Sequence, residues 1–255
     1  MNIKRNMTGS ALALAVAVAL AAPGVALAQD YQFEGGLSYI SIDPDFGSSD
    51  SALGIDLAWY LEPVRTGNLP LAAAAFYTRA NNVYASYVTF DDLDLNVLGL
   101  GGEFYVDRLY LAAEYMRFSN GGSSDDFGVA IGYVPVDGLR VAARYVFADV
   151  GGDAYGVDLK YVTQLAGDTA FGLDSSAEFL DDDFDSKSYS LGADYYFNPS
   201  FSLGARMVYS DDDFGSDTAW GAGAKYFFTP TISGEVEYLS GDSADTLGLR
   251  IAARF

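Results

Sequence analysis

The chain ends in Leu247-Gly-Leu-Arg-Ile-Ala-Ala-Arg-Phe255, and the residue pattern of this segment indicates how the chain folds. Every second residue from Leu247 to Phe255 is apolar, whereas the intervening positions include Arg250 and Arg254. Because side chains alternate between the two faces of a β-strand, this spacing predicts a strand with one wholly apolar face. The apolar face would lie against the core in a soluble β-sandwich. In a membrane barrel it would lie against lipid, and the two arginines would point into a water-filled lumen.

The same alternation recurs in about fourteen strand-like segments along the chain. Leu139 to Phe147 is the plainest of them, because its apolar positions oppose Arg140 and Arg144. Most segments have roughly 8 to 12 residues, which is close to the length of a tilted membrane-spanning strand. This regularity favours a barrel made of many similar strands.

Two segments are irregular. Leu71 to Thr89 contains an alanine run without a usable period, and we interpret it as one long strand or as two strands divided at Asn81-Asn82. In Leu93 to Val106 the apolar face changes near Val97, which predicts a β-bulge.

Two kinds of connection alternate between the segments. One kind is a tight turn, such as Pro135-Val-Asp-Gly138 or Asn198-Pro-Ser200, and the other is longer and acidic. This alternation predicts a transmembrane antiparallel up-and-down β-barrel of about 14 strands (roughly 12 to 16), with short periplasmic turns and acidic outer loops. It also places both termini at the turn side, which requires an even number of strands. The acidic connections are Asp43 to Ser51, Asp91-Asp92, Ser119 to Asp126, Asp149 to Asp153, Asp181 to Lys187, Ser210 to Asp217 and Ser240 to Asp245.

The N-terminus has the features of a secretory signal peptide. Lys4 and Arg5 precede an apolar run from Ala11 to Ala22, and Ala26-Leu-Ala28 is a small-x-small cleavage site. We therefore expect cleavage after Ala28, so that residues 1–28 are removed and residues 29–255 form the barrel. The apolar run is shorter than the roughly 20 residues that a spanning helix needs. The predicted location is the bacterial outer membrane.

The amino-acid composition excludes several classes of function. The chain has 14 basic and 35 acidic residues and a formal net charge of −21, which argues against binding to nucleic acid. It has no cysteine, so closure of a hydrogen-bonded barrel would have to hold the fold instead of disulfides. It has no histidine, which excludes the Ser-His-Asp triad and histidine-liganded metal sites. An enzymatic function and a cofactor are not predicted.

The polar faces of the strands carry charges of both signs, which cannot be buried dry and unpaired. Either they pair across strands and plug the lumen, or water reaches them. Inward glycines such as Gly192 and Gly204 favour an open, narrow lumen. Opposed basic and acidic walls would orient dipolar solutes, whereas scattered charges would pair individually. The candidate pore-lining residues are Arg140, Arg144, Arg206, Arg250, Arg254, Lys160, Lys225, Asp56, Glu114, Asp158, Asp174, Asp194, Glu235 and Glu237, with Glu34, Glu103 and Glu178 on the same faces.

Aromatic residues concentrate near strand ends, where a membrane barrel has its two interfacial girdles. β-propensity alone would also place them in strands. The residues concerned are Tyr31, Phe33, Tyr145, Phe147, Tyr195, Phe197, Phe201, Tyr209, Tyr226, Phe228, Tyr238 and Phe255.

Three acidic connections share a loose repeat of aspartates followed by Phe, as in Asp211-Asp-Asp-Phe-Gly-Ser216. Carboxylates are ligands for Ca²⁺ or Mg²⁺, but none of the repeats has the spacing of an EF-hand loop. We expect a solvated face that divalent ions bridge to lipopolysaccharide, and no specific metal site. The weak metal candidates are Asp181, Asp182, Asp183, Asp211, Asp212 and Asp213.

The signal peptide, the alternation, the acidic loops and the ending at Phe255 together resemble the general porins of Gram-negative proteobacteria. Asp56 to Tyr87 resembles the early hairpin of that family. The resemblance implies passive diffusion of small hydrophilic solutes or ions across the outer membrane, and recognition of the terminal strand by the barrel-assembly machinery. The chain is shorter than the large trimeric porins, and Phe90 to Asp94 is too short to act as their inward-folded constriction loop.

Two other hypotheses stay open at this point. The first is a non-conducting structural or surface-interaction barrel that acts through its acidic loops. The second is a soluble exported β-sandwich, which would not partition into membranes. Outer-membrane lipid and lipopolysaccharide are the expected partners of a barrel, and its assembly as a homo-oligomer is left open.

Overall fold

Alternating apolar and polar residues form fourteen β-strands, and each strand pairs antiparallel with its neighbours in sequence. The computed structural model describes residues 30–181, 186–213 and 215–255. The strands are β1 (Tyr31–Pro44), β2 (Asp50–Val64), β3 (Asn82–Phe90), β4 (Asn96–Val106), β5 (Leu109–Ser119), β6 (Ser123–Val136), β7 (Leu139–Ala148), β8 (Asp153–Gln164), β9 (Ala170–Asp181), β10 (Lys187–Asn198), β11 (Phe201–Asp212), β12 (Gly215–Thr229), β13 (Ile232–Gly241) and β14 (Ala244–Arg254).

The terminal strand closes the barrel. β14 pairs with β1 from Glu34↔Arg254 to Pro44↔Ala244, and the backbone N–H groups of Gln32 and Phe33 donate to the carbonyl oxygen of Phe255 at 2.7 and 3.0 Å. Closure leaves no open sheet edge, as a membrane-embedded sheet requires. The predicted closed antiparallel barrel is confirmed.

Both described chain ends lie at one end of the barrel, together with the tight turns. We call this the turn end and the opposite end the loop end. At the β6–β7 turn, Gly138 has φ +80°, and a Cβ there would lie 2.2 Å from the carbonyl oxygen of Val162. The turn therefore needs glycine. The predicted even strand number is confirmed, whereas the predicted signal peptide, residues 1–28, lies outside the described residues.

At the loop end the strands run further than predicted. Ser119 to Asp126 was expected to be a loop, but β5 continues to Ser119 and β6 resumes at Ser123. Ser210 to Asp217 is likewise strand up to Asp212 and again from Gly215. Backbone pairing does not need apolar side chains, so the ladders extend past the apolar band into acidic sequence.

The outward face is apolar and aromatic. Phe33 and Trp59 stack at 6.3 Å between ring centroids, and both remain about half exposed on the outside of the barrel. The assignment of Tyr31 to this surface was wrong, because a register shift between Tyr31 and Phe33 turns its side chain inward. Tyr31 is 4% exposed and packs edge-on against Tyr60.

The two irregular segments are now defined. Leu71–Ala73 forms a 3-10 helix and Ala74–Tyr77 a short α-helix, α1, so this part of the predicted third strand was wrong. The bulge predicted near Val97 was also wrong, since the registers of β4 with β3 and β5 are unbroken and the strand begins only at Asn96. Within the described ranges, no helix is both long and apolar enough to cross a membrane.

Candidate functional site in the barrel lumen

Residues 65–81, which connect β2 to β3, fold into the turn end of the barrel; we call them the inserted segment. The backbone N–H of Leu71 donates to the carbonyl oxygen of Pro199 in the β10–β11 turn at 2.8 Å. From the other side, Nη1 of Arg254 donates to the carbonyl oxygen of Leu71 at 2.9 Å. The segment is thus held between β14 and a turn on a distant part of the wall.

Two small apolar clusters fix the inserted segment. Ala74 is fully buried against Tyr31, Tyr60 and Val64 of β1 and β2. Its neighbour Ala73, which is 3% exposed, belongs to the second cluster on the opposite wall. That cluster contains Ala73, Val162, Ala170 and Tyr196. Because adjacent residues touch opposite walls, the segment crosses the interior.

Phe76, on α1, lies among cations of the wall. The ammonium nitrogen of Lys160 is 5.1 Å from the centroid of its ring, and the guanidinium carbon of Arg140 is 5.8 Å away. Cations within about 6 Å of an aromatic face are attracted by the ring quadrupole. These contacts tie the helix of the segment to β7 and β8.

Ion pairs neutralise the basic residues next to the closure. Arg250 bonds Asp56 at 2.6 Å and Glu34 at 3.1 Å, and Arg254 bonds Glu34 at 2.6 Å. The guanidinium of Arg254 also lies over the ring of Tyr31 at 4.5 Å. These groups belong to β14, β1 and β2, so the pairs bridge neighbouring strands around the closure.

The other arginines of the wall are paired as well. Arg140, on β7, bonds Glu103, on β4, at 3.1 Å and lies over the ring of Tyr110 at 4.1 Å. Side chains of β4 and β7, which are three strands apart, can reach each other only through the interior of the barrel. Both side chains therefore point inward. The remaining pairs are Arg144 with Glu178 at 2.5 Å, Arg206 with Asp194 at 2.9 Å and Glu237 at 3.7 Å, and Lys225 with Glu235 at 3.0 Å.

Several inward glycines make room for these charged side chains. A Cβ at Gly36 would lie 2.5 Å from an Asp56 oxygen and 2.6 Å from an Arg250 nitrogen. A Cβ at Gly192 would lie 2.5 Å from Oδ2 of Asp174. Glycine at these positions lets a neighbouring side chain lie flat on the wall, so a glycine in the polar face does not by itself mean an empty lumen.

Two polar cavities inside the barrel are lined by described residues. The outer cavity, of about 830 Å³, is bounded mainly by β5 to β9 and includes Glu114 and Asp158. The inner cavity, of about 170 Å³, lies between Ala72 and Ala73 of the inserted segment and the wall from β8 to β13. Lys160 and Asp174 line both cavities. The two cavities therefore adjoin at this pair of residues.

The candidate pore-lining residues all occur in described strands, and the structure brings most of them together as ion pairs. Glu114 instead accepts a hydrogen bond from the Tyr84 hydroxyl at 2.5 Å. Within the described ranges, Lys160, Asp158 and Asp174 take part in no ion pair. The arrangement is thus individual pairing and not two opposed walls of single charge.

Sequence reasoning missed the part of the site that Leu71 and Phe76 contribute. Alanine has the highest helix propensity, and the run Ala72 to Ala75 had no strand period. Helix propensity was therefore the signal that this stretch was not strand. Nothing in the spacing of the chain indicated that it would fold into the lumen.

The acidic candidates at the loop end make ordinary contacts. Asp211 pairs with Lys187 at 2.7 Å, and Asp212 accepts a hydrogen bond from the backbone of Gly215 at 3.1 Å. Among described residues there is no group of three or more His, Cys, Asp or Glu placed to hold a metal ion. Asp182 and Asp183 lie outside the described residues.

Solved structures share this architecture. Omp33, an outer membrane protein of Acinetobacter baumannii, superposes with a TM-score of 0.73 at 24% identity, covering 90% of this chain and 100% of its own. CymD, a monoaromatic hydrocarbon channel, gives 0.59 at 13% identity, covering 88% and 89%. A variant of the Rh. blastica porin gives 0.50 at 14% identity, covering 88% and 99%. At these identities the likeness shows the fold.

Sequence comparison supplies the family. No curated protein matches the chain significantly. Residues 7–154 and 138–255 match the model of the family described as "Putative general bacterial porin". The chain therefore belongs to the general bacterial porin family and is a β-barrel of the bacterial outer membrane.

Proposed function

We propose that this porin lets small hydrophilic solutes or ions diffuse passively through its lumen, along the side of the barrel formed by β5 to β13. One observation carries the proposal: the outer and inner cavities share Lys160 and Asp174 in their linings, and Ala72 and Ala73 of the inserted segment line the inner one. Charged and polar side chains contribute to the lining of both cavities, and they favour water and hydrated solutes over apolar solutes.

The inserted segment sets the width of the proposed route. It crosses the turn end, where Ala74 is fully buried against β1 and β2, and its Ala72 and Ala73 line the inner cavity. The inner cavity has a volume of about 170 Å³, against about 830 Å³ for the outer cavity. The resting route is therefore narrow, and displacement of the segment would widen it.

Conductance in a planar bilayer tests the proposal. The refolded protein, residues 29–255, is compared with a variant in which a short Gly-Ser linker replaces residues 66–79. We expect small, steady conductance from the unaltered barrel and a several-fold larger one from the variant. A silent parent with a conducting variant would contradict diffusion in the resting state. Silence from both, with heat-modifiable folded barrels, would refute the porin-type function.

A second candidate is a non-conducting barrel that acts at the cell surface through its acidic loops. The observation that favours it is the tight seating of the inserted segment, which hydrogen-bonds at Leu71 to both Pro199 and Arg254. The same bilayer experiment separates the two functions. This candidate predicts that the folded parent protein shows no conductance, even in salts of small ions.

A further inference from the structure

The charges around the inner cavity are almost all neutralised by a neighbour. Arg206 bonds Asp194 at 2.9 Å, and Lys225 bonds Glu235 at 3.0 Å. Glu237 lies 3.7 Å from Arg206. Across the described ranges, the two remaining charged residues of this lining, Lys160 and Asp174, make no ion pair and no hydrogen bond through their side chains.

Lys160 and Asp174 stay apart although they are direct cross-strand partners on β8 and β9. Opposite charges in such positions ordinarily attract each other. Here the ammonium group of Lys160 lies 5.1 Å from the ring centroid of Phe76. The carboxylate of Asp174 leans the other way, across the space that glycine leaves at position 192. The inserted segment and Gly192 thus hold one positive and one negative group open to the cavity.

Neighbouring charges disfavour solutes that carry a single charge. Asp158, which also lacks an ion pair among the described residues, lines the outer cavity together with Asp174, so an anion that reaches Lys160 through this cavity passes two carboxylates. Arg140, the cross-strand partner of Lys160 on β7, is paired with Glu103 at 3.1 Å, so a cation near Asp174 meets the unpaired positive charge of Lys160. A solute that carries both charges a few ångströms apart satisfies Lys160 and Asp174 together.

We propose that Lys160 and Asp174 form a binding site for small zwitterionic solutes of the amino-acid type. The solute carboxylate accepts hydrogen bonds from Nζ of Lys160, and its ammonium group donates to the carboxylate of Asp174. Charge-assisted hydrogen bonds of this kind are the stronger ones in proteins. The proposal rests on the proposed function for the passage of the solute, but binding from the loop end does not require a conducting barrel.

Line broadening of labelled glycine in NMR spectra tests the site directly. Refolded residues 29–255 in detergent micelles are titrated into glycine, acetate, methylammonium or acetamide, which are similar in size and differ in charge. We expect several-fold greater broadening for glycine than for the other three. Lys160→Met, which keeps an apolar stem against Phe76, and Asp174→Asn should each abolish the difference.

A reversed pair separates binding from a structural role. In the double variant Lys160→Asp with Asp174→Lys, both charges are present in exchanged positions, so glycine broadening should return. Arg117→Gln, at an exposed ion pair with Asp125 near the loop end, is the control and should leave the broadening unchanged. The proposal is overturned if glycine broadens no more than acetamide, or if either single variant broadens it as the parent does. Bilayer conductance reports separately on the proposed function.

Discussion

Nη1 of Arg254 donates a 2.9 Å hydrogen bond to the carbonyl oxygen of Leu71, so the terminal strand holds the inserted segment. Arg254 is 6% exposed, and its Nε bonds Glu34 at 2.6 Å. The rings of Tyr31 and Phe227 lie on the same guanidinium at 4.5 and 4.6 Å. Arg254 therefore contacts both β1, with which the barrel closes, and the inserted segment, which fills the turn end.

Arg254→Met should loosen the inserted segment. The variant removes a charge-assisted hydrogen bond to a backbone carbonyl, a contact that contributes about 1.5 to 3 kcal/mol. Glu34 keeps its 3.1 Å bond to Arg250, so the closure should survive. We expect at least tenfold faster amide hydrogen exchange in residues 65–81. Arg117→Met is the matched control, and equal exchange in the two variants would contradict the role of Arg254.

Phe76→Leu should act on the same segment through a different contact. The substitution removes the ring that faces the cations of Lys160 and Arg140, and each cation–π contact contributes about 0.5 to 2 kcal/mol. We expect longer open times or larger steps in single-channel recordings. Phe46→Leu provides the control, because Phe46 is 93% exposed at the loop end and should leave the current unchanged. Unaltered currents in both variants would refute a role for the Phe76 contacts in holding the inserted segment.

Gly36→Ala should destabilise the barrel wall. The new Cβ would lie 2.5 to 2.6 Å from atoms of Asp56 and Arg250, so their ion pair must move. Overpacking of this kind costs about 1 to 3 kcal/mol. Unfolding in urea, followed by the fluorescence of Trp59 and Trp220, measures the loss. Gly122→Ala adds the same methyl group where no atom lies within 4 Å, and should have little effect. Equal unfolding midpoints for the two variants would contradict close packing around Gly36.

Phe255→Ala should slow assembly in cells more than it changes the folded barrel. The ring is 52% exposed, whereas the strand closure uses the backbone N–H and C=O of Phe255, which alanine retains. We expect reduced outer-membrane levels but a nearly unchanged unfolding midpoint after refolding. Phe33→Ala removes an aromatic ring of similar exposure on the adjacent strand and controls for lost lipid contact. Equal losses of membrane level would contradict a specific insertion signal at Phe255.

Local pattern was enough for most of the barrel. Leu139 to Phe147 was predicted from alternation, and β7 spans Leu139–Ala148. The tight turn at Gly138 was predictable, because a positive φ such as the +80° found there is a local backbone property that favours glycine. Tyr31 escaped this reasoning, because a register shift of β1 against β2 reverses its side and no residue at that point signals the shift. Alternation describes a face only while the register continues.

Most strands and their two faces, the even strand number and the acidic loop end could be predicted from the chain alone, because they follow from a period of two and from turn chemistry within a few residues. Which charges meet depends on the folded barrel. Arg140 finds Glu103 from three strands away, and Lys160 is kept from Asp174 by Phe76 of the inserted segment. Those contacts depend on how the strands stagger around a closed barrel and on what fills it, and neither is encoded in local spacing.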